Sequence, residues 1–313
     1  MDLLVAHSEA DRPAAMGIDR GSLAVHWLGR IGYRDAWDLQ HRLVDARIAG
    51  DIGDQLLLLE HDPVLTLGRY ADESHVVASP AELERRGIEV IRVERGGEVT
   101  YHGPGQLVAY PILELSHRGL LLRPLVRALE AAMIATCTGF GVASARRDGH
   151  PGCWCAADSA EPRKIGALGI RVQRGVSYHG IALNVDVDLG DFDLIDPCGM
   201  PGIRSTSIAA EAGRLDEIPS TEAVSRAAAL FARALGRQLS VGLDGDLPPD
   251  ADAARTRRAL DHLLAAASAP GAASSDDVTD DVTDDAPTRR AASSGQTTGA
   301  ASSSPSPSAA AGT

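Results

Sequence analysis

Aromatic residues are scarce: Phe, Tyr and Trp make up 4% of the 313 residues, and there are only four cysteines. Cys137, Cys153, Cys155 and Cys198 are too few to build a disulfide framework in a chain this long, so a reducing compartment is expected, where a thiol stays free and reactive. Basic residues are also outnumbered, 30 Lys and Arg against 43 Asp and Glu, which leaves a formal charge of −13. That balance argues against nucleic acid as a partner, because phosphate neutralisation needs clustered cations. Long apolar runs are missing too. No segment approaches the ~20 residues needed to span a bilayer, and the N-terminus, MDLLVAHSEADRP, carries an acidic residue at its second position and no signal-peptide core. No membrane association and a cytoplasmic location are therefore expected.

What is present suits a folded protein, with 44% hydrophobic residues. Residues 1–20 read as a loose leader and 21–270 as one folded domain. From 271 to 313 the composition shifts to Asp, Thr, Ser, Ala and Pro, which cannot bury a core, so a disordered tail is expected. The six Asp and two Arg of that tail leave −9 on residues 1–270.

Within the domain, SLAVHWLG, QLLLLEH, IEVIRVE and QLVAYPILEL are short, rich in Val, Ile and Leu, and bounded by Gly, Pro or charge, so they predict strands. YRDAWDLQHRLVDARIAG sets Trp37, Gln40, Leu43, Val44 and Ile48 at helical spacing. Further helices are predicted over Arg123–Thr138, Thr221–Leu239 and Ala251–Ala267. KIGALGIRVQ and VSYHGIALNVDV, joined at Arg174-Gly175, predict a tight hairpin. Strands interrupted by helices in this way point to an α+β domain on a mainly antiparallel sheet.

Three clusters can carry chemistry. RGGEVTYHGPGQ packs four glycines around Arg95, Thr100, Tyr101, His102 and Gln106; glycine lets backbone approach a ligand closely, although a plain Gly-rich hairpin fits the same residues. No phosphate-loop or dinucleotide fingerprint is present. Ser177-Tyr178-His179-Gly180 echoes Thr100-Tyr101-His102-Gly103, and pocket lining is expected of both histidines. Asp196-Pro197-Cys198-Gly199 holds a cysteine among prolines and glycines, unlike a core thiol. A thiol with a pKa of about 8.5 needs a cation or base nearby to be nucleophilic at neutral pH. Lys164, at the head of the hairpin in an Arg-rich chain, is a candidate. Cys153 and Cys155 lack the paired spacing and four ligands of a zinc site, so both read as packing residues, as does Cys137. No metal is expected.

Taken together, Gly68-Arg69, RGGEVTYHGPGQLVAYPIL, Pro151-Gly152, RKIGALGIRV, SYHGIALNVDVDL and PCGMPG with the following STSI resemble the octanoyltransferases of lipoate biosynthesis, over about residues 22–240. The resemblance implies the biotin/lipoate protein ligase fold, which is class II synthetase-like, and makes 21–270 an octanoyltransferase catalytic domain. It implies transfer of octanoyl from acyl carrier protein, through a Cys198 thioester assisted by Lys164, to a lysine of lipoyl domains. Those of 2-oxoacid dehydrogenase complexes and the glycine cleavage H protein are the expected acceptors. Substrate contacts are implied for Arg95, Gly96, Gly97, Glu98, Val99, Thr100, Tyr101 and His102, for Ala167, Leu168 and Gly169, and for Gly180, Ile181 and Ala182. No cofactor is implied. An ATP-dependent lipoate or biotin ligase of the same fold, and a non-catalytic module that binds carrier or lipoyl domains, are the alternatives. Because the enzyme is acidic, exposed arginines such as Arg146 and Arg147 are expected to form the carrier's docking patch.

Overall fold

The computed structural model describes residues 21–196, 203–213, 220–248 and 250–267. Cys198, the expected leader and the expected tail lie outside the described residues. Those described all belong to one compact unit.

The strands are β1 (Ser22–Ile31), β2 (Gln55–His61), β3 (Val64–Leu67), β4 (Glu89–Arg92), β5 (Thr100–His102), β6 (Gln106–Ile112), β7 (Ala145–Arg147), β8 (His150–Cys155), β9 (Arg163–Gln173), β10 (Val176–Asn184), β11 (Arg204–Ser205) and β12 (Gly242–Asp244). The helices are α1 (Tyr33–Ala49), α2 (Pro80–Arg86), α3 (Leu122–Gly139), α4 (Ile208–Ala212), α5 (Ser220–Leu239) and α6 (Ala253–Ala267). One sheet runs β12-β1-β2-β6-β10-β9-β8-β7 with β11 on β9, and a smaller one runs β4-β3-β5. Pairing is parallel for β1 with β2 and β12, β9 with β11 and β3 with β4, and antiparallel elsewhere. The fold is α+β, on a mixed sheet that is mainly antiparallel.

The large sheet is buried on both faces. Leu56 and Leu58 of β2 enter the core beneath α3 and α5, while Leu57 and Leu59 enter the core beneath α1 and α6. That explains why QLLLLEH reads as an unbroken apolar run rather than an alternating one. Each fully buried leucine contributes roughly 2 kcal/mol by transfer from water. Met133, Cys137, Cys153 and Cys155 lie in the α3/α5 core, so the cysteines at alternate positions of β8 are packing residues. Burial pushes the Cys155 thiol up to about 12.

The predicted hairpin is present. Arg174 and Gly175, with φ of 45° and 82°, form a two-residue turn in the left-handed region, and Gln173 pairs with Val176. This conformation matches the twist of the flanking strands. The hairpin carries Gly169 opposite Gly180 in the ladder, which prepares the site.

Candidate active site

The site begins where the loop after β4 crosses the hairpin. Gly96 N donates to Ile170 O at 3.4 Å, and a Cβ placed on Gly169 would lie 2.6 Å from Gly96 O. A Cβ on Gly68 would overlap the carbonyl of Gly97, and one on Gly180 would overlap that of Ala109. Backbone crosses backbone here, so only glycine fits. Arg95 anchors the crossing: it is 7% exposed, and its Nη2 donates to Thr66 O at 2.7 Å and to Thr66 Oγ1 at 2.9 Å.

Beneath this crossing lies a cleft of about 60 Å³. The loop gives it Arg95, Gly97, Glu98, Val99, Thr100 and His102. The hairpin gives it Lys164, Ala167, Leu168, Gly169, His179, Gly180, Ile181 and Ala182. A loop and both arms of a hairpin about 60 residues further on thus share one cavity. Two of the sequence-derived residues stand apart. Gly96 is part of the crossing, and Tyr101 points to the other side of β5, where its ring packs against Phe192 at 5.6 Å. Alternation along a strand separates it from Thr100 and His102. The cleft also holds Tyr33 and Tyr110, which sequence reading did not pick out. Tyr110 sits inside an apolar strand and Tyr33 at a helix start, so neither carried a signal beyond being a core aromatic.

The aromatic wall is a hydrogen-bonded network whose histidines are kept neutral by burial. His61 Nδ1 lies 3.0 Å from Ile31 O and its Nε2 2.7 Å from Tyr110 Oη, an arrangement in which Nδ1–H donates and Nε2 accepts from the phenol. Burial lowers His61 to about 4, and it also holds His102 well below the usual range. His102 Nδ1 meets Gln106 Oε1 at 2.7 Å; Gln106 Nε2 donates to Asn184 Oδ1 at 2.9 Å, and Asn184 Nδ2 donates to Thr206 O at 2.9 Å. With Nδ1 donating to Gln106, the His102 tautomer leaves Nε2 as an acceptor. The Tyr33 ring stacks on His102 with centroids 5.9 Å apart, and burial raises Tyr33 to about 12.

His179 is held differently. Its φ is 54°, unusual for a non-glycine residue, and its backbone N–H donates to Gln40 Oε1 at 2.8 Å. Such strain costs about 1–3 kcal/mol and collects at functional sites. The ring Nε2 lies 3.7 Å from Glu94 Oε1, and burial lowers the imidazole pKa against the pull of that carboxylate. Burial disfavours the charge on Glu94 in turn, but His179, His41 and the Trp37 indole hold its carboxyl far below the usual range.

Lys164 is the single lysine among the 30 Lys and Arg residues of the chain. Its Nζ lies 5.2 Å from the centre of the Trp154 ring, and its stem passes Gly152, where a Cβ would be 3.2 Å from Lys164 Cε. The chain that follows the Cys198 segment is fastened to this strand: Ser205 pairs with Lys164, and Thr206 N donates to Lys164 O at 2.9 Å. Before the segment, Asp196 N donates to His75 O at 2.8 Å. Arg146 and Arg147 do not form one patch. Arg146 Nε meets Glu130 Oε2 at 3.2 Å, whereas Arg147 donates to Ala157 O at 2.7 Å and lies over Trp154.

Residues 32–232 match the lipoyl protein ligase A/B catalytic domain, which defines the class. The bi-partite lipoate protein ligase of Thermoplasma acidophilum superposes with a TM-score of 0.52 at 15% identity, covering 77% of this chain and 92% of its own. A lipoate-protein ligase A bound with ATP gives 0.51 at 14% identity, covering 77% and 94%. Within the class the sequence is far more specific. The octanoyltransferase of Acidobacterium capsulatum is 47% identical over 232 residues, covering 71% of this chain and 94% of its own. That of Chloroflexus aurantiacus is 50% identical over 194 residues, covering 62% and 86%. The chain belongs to the octanoyltransferases, a family of acyltransferases in protein lipoylation. No helix among the described residues is long and apolar enough to cross a membrane.

Proposed function

We propose that residues 21–270 move an octanoyl group from acyl carrier protein to the lysine amine of a lipoyl domain, with Cys198 as the acyl carrier and Lys164 as its acid-base partner. The observation that carries this reading is the assembly of Lys164, the 95–102 loop, Ala167–Gly169 and Gly180–Ala182 around one cleft. In the first half-reaction Lys164 takes the Cys198 proton. The thiolate attacks the donor thioester carbonyl, and the departing thiol leaves with the proton from Lys164. In the second, the acceptor amine attacks the enzyme thioester and loses its proton to Lys164, while the Cys198 sulfur leaves. Ala167, Gly169, Gly180 and Ala182 add little bulk to the cleft wall, and Leu168 and Ile181 offer apolar contacts to an alkyl chain.

This reading differs from an ATP-dependent ligase, which activates a free acid and requires no thiol. Mixing the protein, octanoyl-acyl carrier protein and a lipoyl domain without ATP distinguishes them. Octanoylation of the lipoyl domain supports transfer. Octanoylation only from free octanoate with ATP and Mg²⁺ replaces it with the ligase, and binding without acylation replaces it with a docking module.

A further inference from the structure

A cavity of about 320 Å³ shares no lining residue with the cleft. Its wall brings together Arg118 from the loop after β6, Arg127 from α3 and Arg146 from β7, with Gln238 at the end of α5. No carboxylate lines it, which is unusual in a chain with a net charge of −13.

The carboxylates behind the wall are already shared. Glu130 Oε2 receives both Arg127 Nη1, at 3.1 Å, and Arg146 Nε, at 3.2 Å. Asp54 receives Arg118 Nε on one oxygen and Arg47 Nε, at 2.7 Å, on the other, and Glu114 takes Arg47 Nη1 at 2.7 Å. Four guanidinium groups therefore face three carboxylates. Arg118 is the most constrained of them: it is 4% exposed, and its buried Nη1 has no hydrogen-bond partner among the described residues. A buried donor without a partner is costly, and Arg118 adds to the positive potential at the back of the cavity. The first turns of α3, which no side chain caps, add positive potential on the same wall, and the end of α5 opposes it.

We propose that this cavity binds a small molecule through a phosphate-type oxyanion, with Arg127 and Arg146 as its ligands and Arg118 as the fixed charge behind them. The volume lies at the lower end of the range of about 300–1,000 Å³ for small-molecule sites, so it admits a phosphorylated metabolite as well as the bare ion. Planar guanidinium forks suit this ligand better than a halide.

The test is calorimetric titration of the full chain with inorganic phosphate, at ionic strength held constant with sodium chloride. Saturable binding at one site is expected, weakened at least tenfold in the Arg127→Ala/Arg146→Ala double variant. Leu120→Trp, which keeps every arginine and fills the cavity, should abolish binding while leaving the unfolding midpoint within a few degrees of the parent. No saturable binding to the parent overturns the proposal, as does equal affinity in all three proteins.

Discussion

The tripeptide Tyr-His-Gly occurs twice, at Tyr101–Gly103 and at Tyr178–Gly180, and the two copies do different work in the same cleft. In the first, backbone geometry is ordinary and the imidazole is fixed by Gln106, at the head of a chain of amides that ends on Thr206 O. In the second, a positive φ aims the imidazole at Glu94 without a close hydrogen bond, and the backbone donor is satisfied by Gln40 from α1. The tyrosines part as well: Tyr101 packs on Phe192 in the small core, and Tyr178 lies edge-on to His41 at 5.5 Å. Local sequence set the residue types, but the partner strand and helix set their roles. One histidine is a structural link with a free acceptor nitrogen, and the other is a strained residue beside a carboxylate.

Acid titration should break the first copy before the second. His61 and His102 bind protons in the unfolded chain near pH 6.5 but resist them when folded, so protonation favours unfolding and stability falls as pH drops below 6.5. A folded value of about 4 for His61 implies a loss of roughly 3 kcal/mol between pH 6.5 and 4, readable as a falling urea midpoint. His61→Gln should flatten that slope. Glu94 acts lower: its depressed carboxyl stabilises the fold above about pH 4.5 and that contribution fades only on further acidification. A slope unchanged by His61→Gln would contradict this account.

His102→Leu strands Gln106 Oε1 in the core and should lower stability by about 2 kcal/mol. His179→Asn keeps a residue tolerant of positive φ and gives up no short hydrogen bond from the ring, so its effect should stay below about 1 kcal/mol. Equal losses by denaturant melts would erase the distinction between the copies. The smallest effect is expected at Val77, which is 53% exposed, where Val77→Thr should change stability by less than about 0.5 kcal/mol.

Much of this was legible. The hairpin, strands β1, β2, β4 and β6 and the four longer helices follow from periodicity and turn chemistry, whereas the short strands β3, β5, β7, β11 and β12 carry too few residues to show a period. The grouping of 95–102, 167–169 and 180–182 followed from the motif resemblance. Tyr33 and Tyr110 were hidden because an aromatic in an apolar run looks the same whether it packs or lines a cleft. Gln40 reads as one residue of an amphipathic helix, yet its partner is a backbone amide 139 positions away. The arginine cavity was invisible for the same reason, its charges being spread over a loop, a helix and a strand. Arg146 and Arg147, adjacent in sequence, were expected on one surface, but at the irregular pairing of β7 with β8 they take different partners.

The central claim, that Cys198 carries the acyl group with Lys164 as its base, is tested most directly by intact-protein mass after brief incubation with octanoyl-acyl carrier protein, without ATP. A hydroxylamine-labile octanoyl adduct is predicted on the parent, absent from Cys198→Ala and at least a hundredfold slower to form on Lys164→Ala, in line with general-base contributions of about 10²–10⁴. An adduct of the same mass and rate on Cys198→Ala, or none on the parent while the lipoyl domain is still octanoylated, would contradict it.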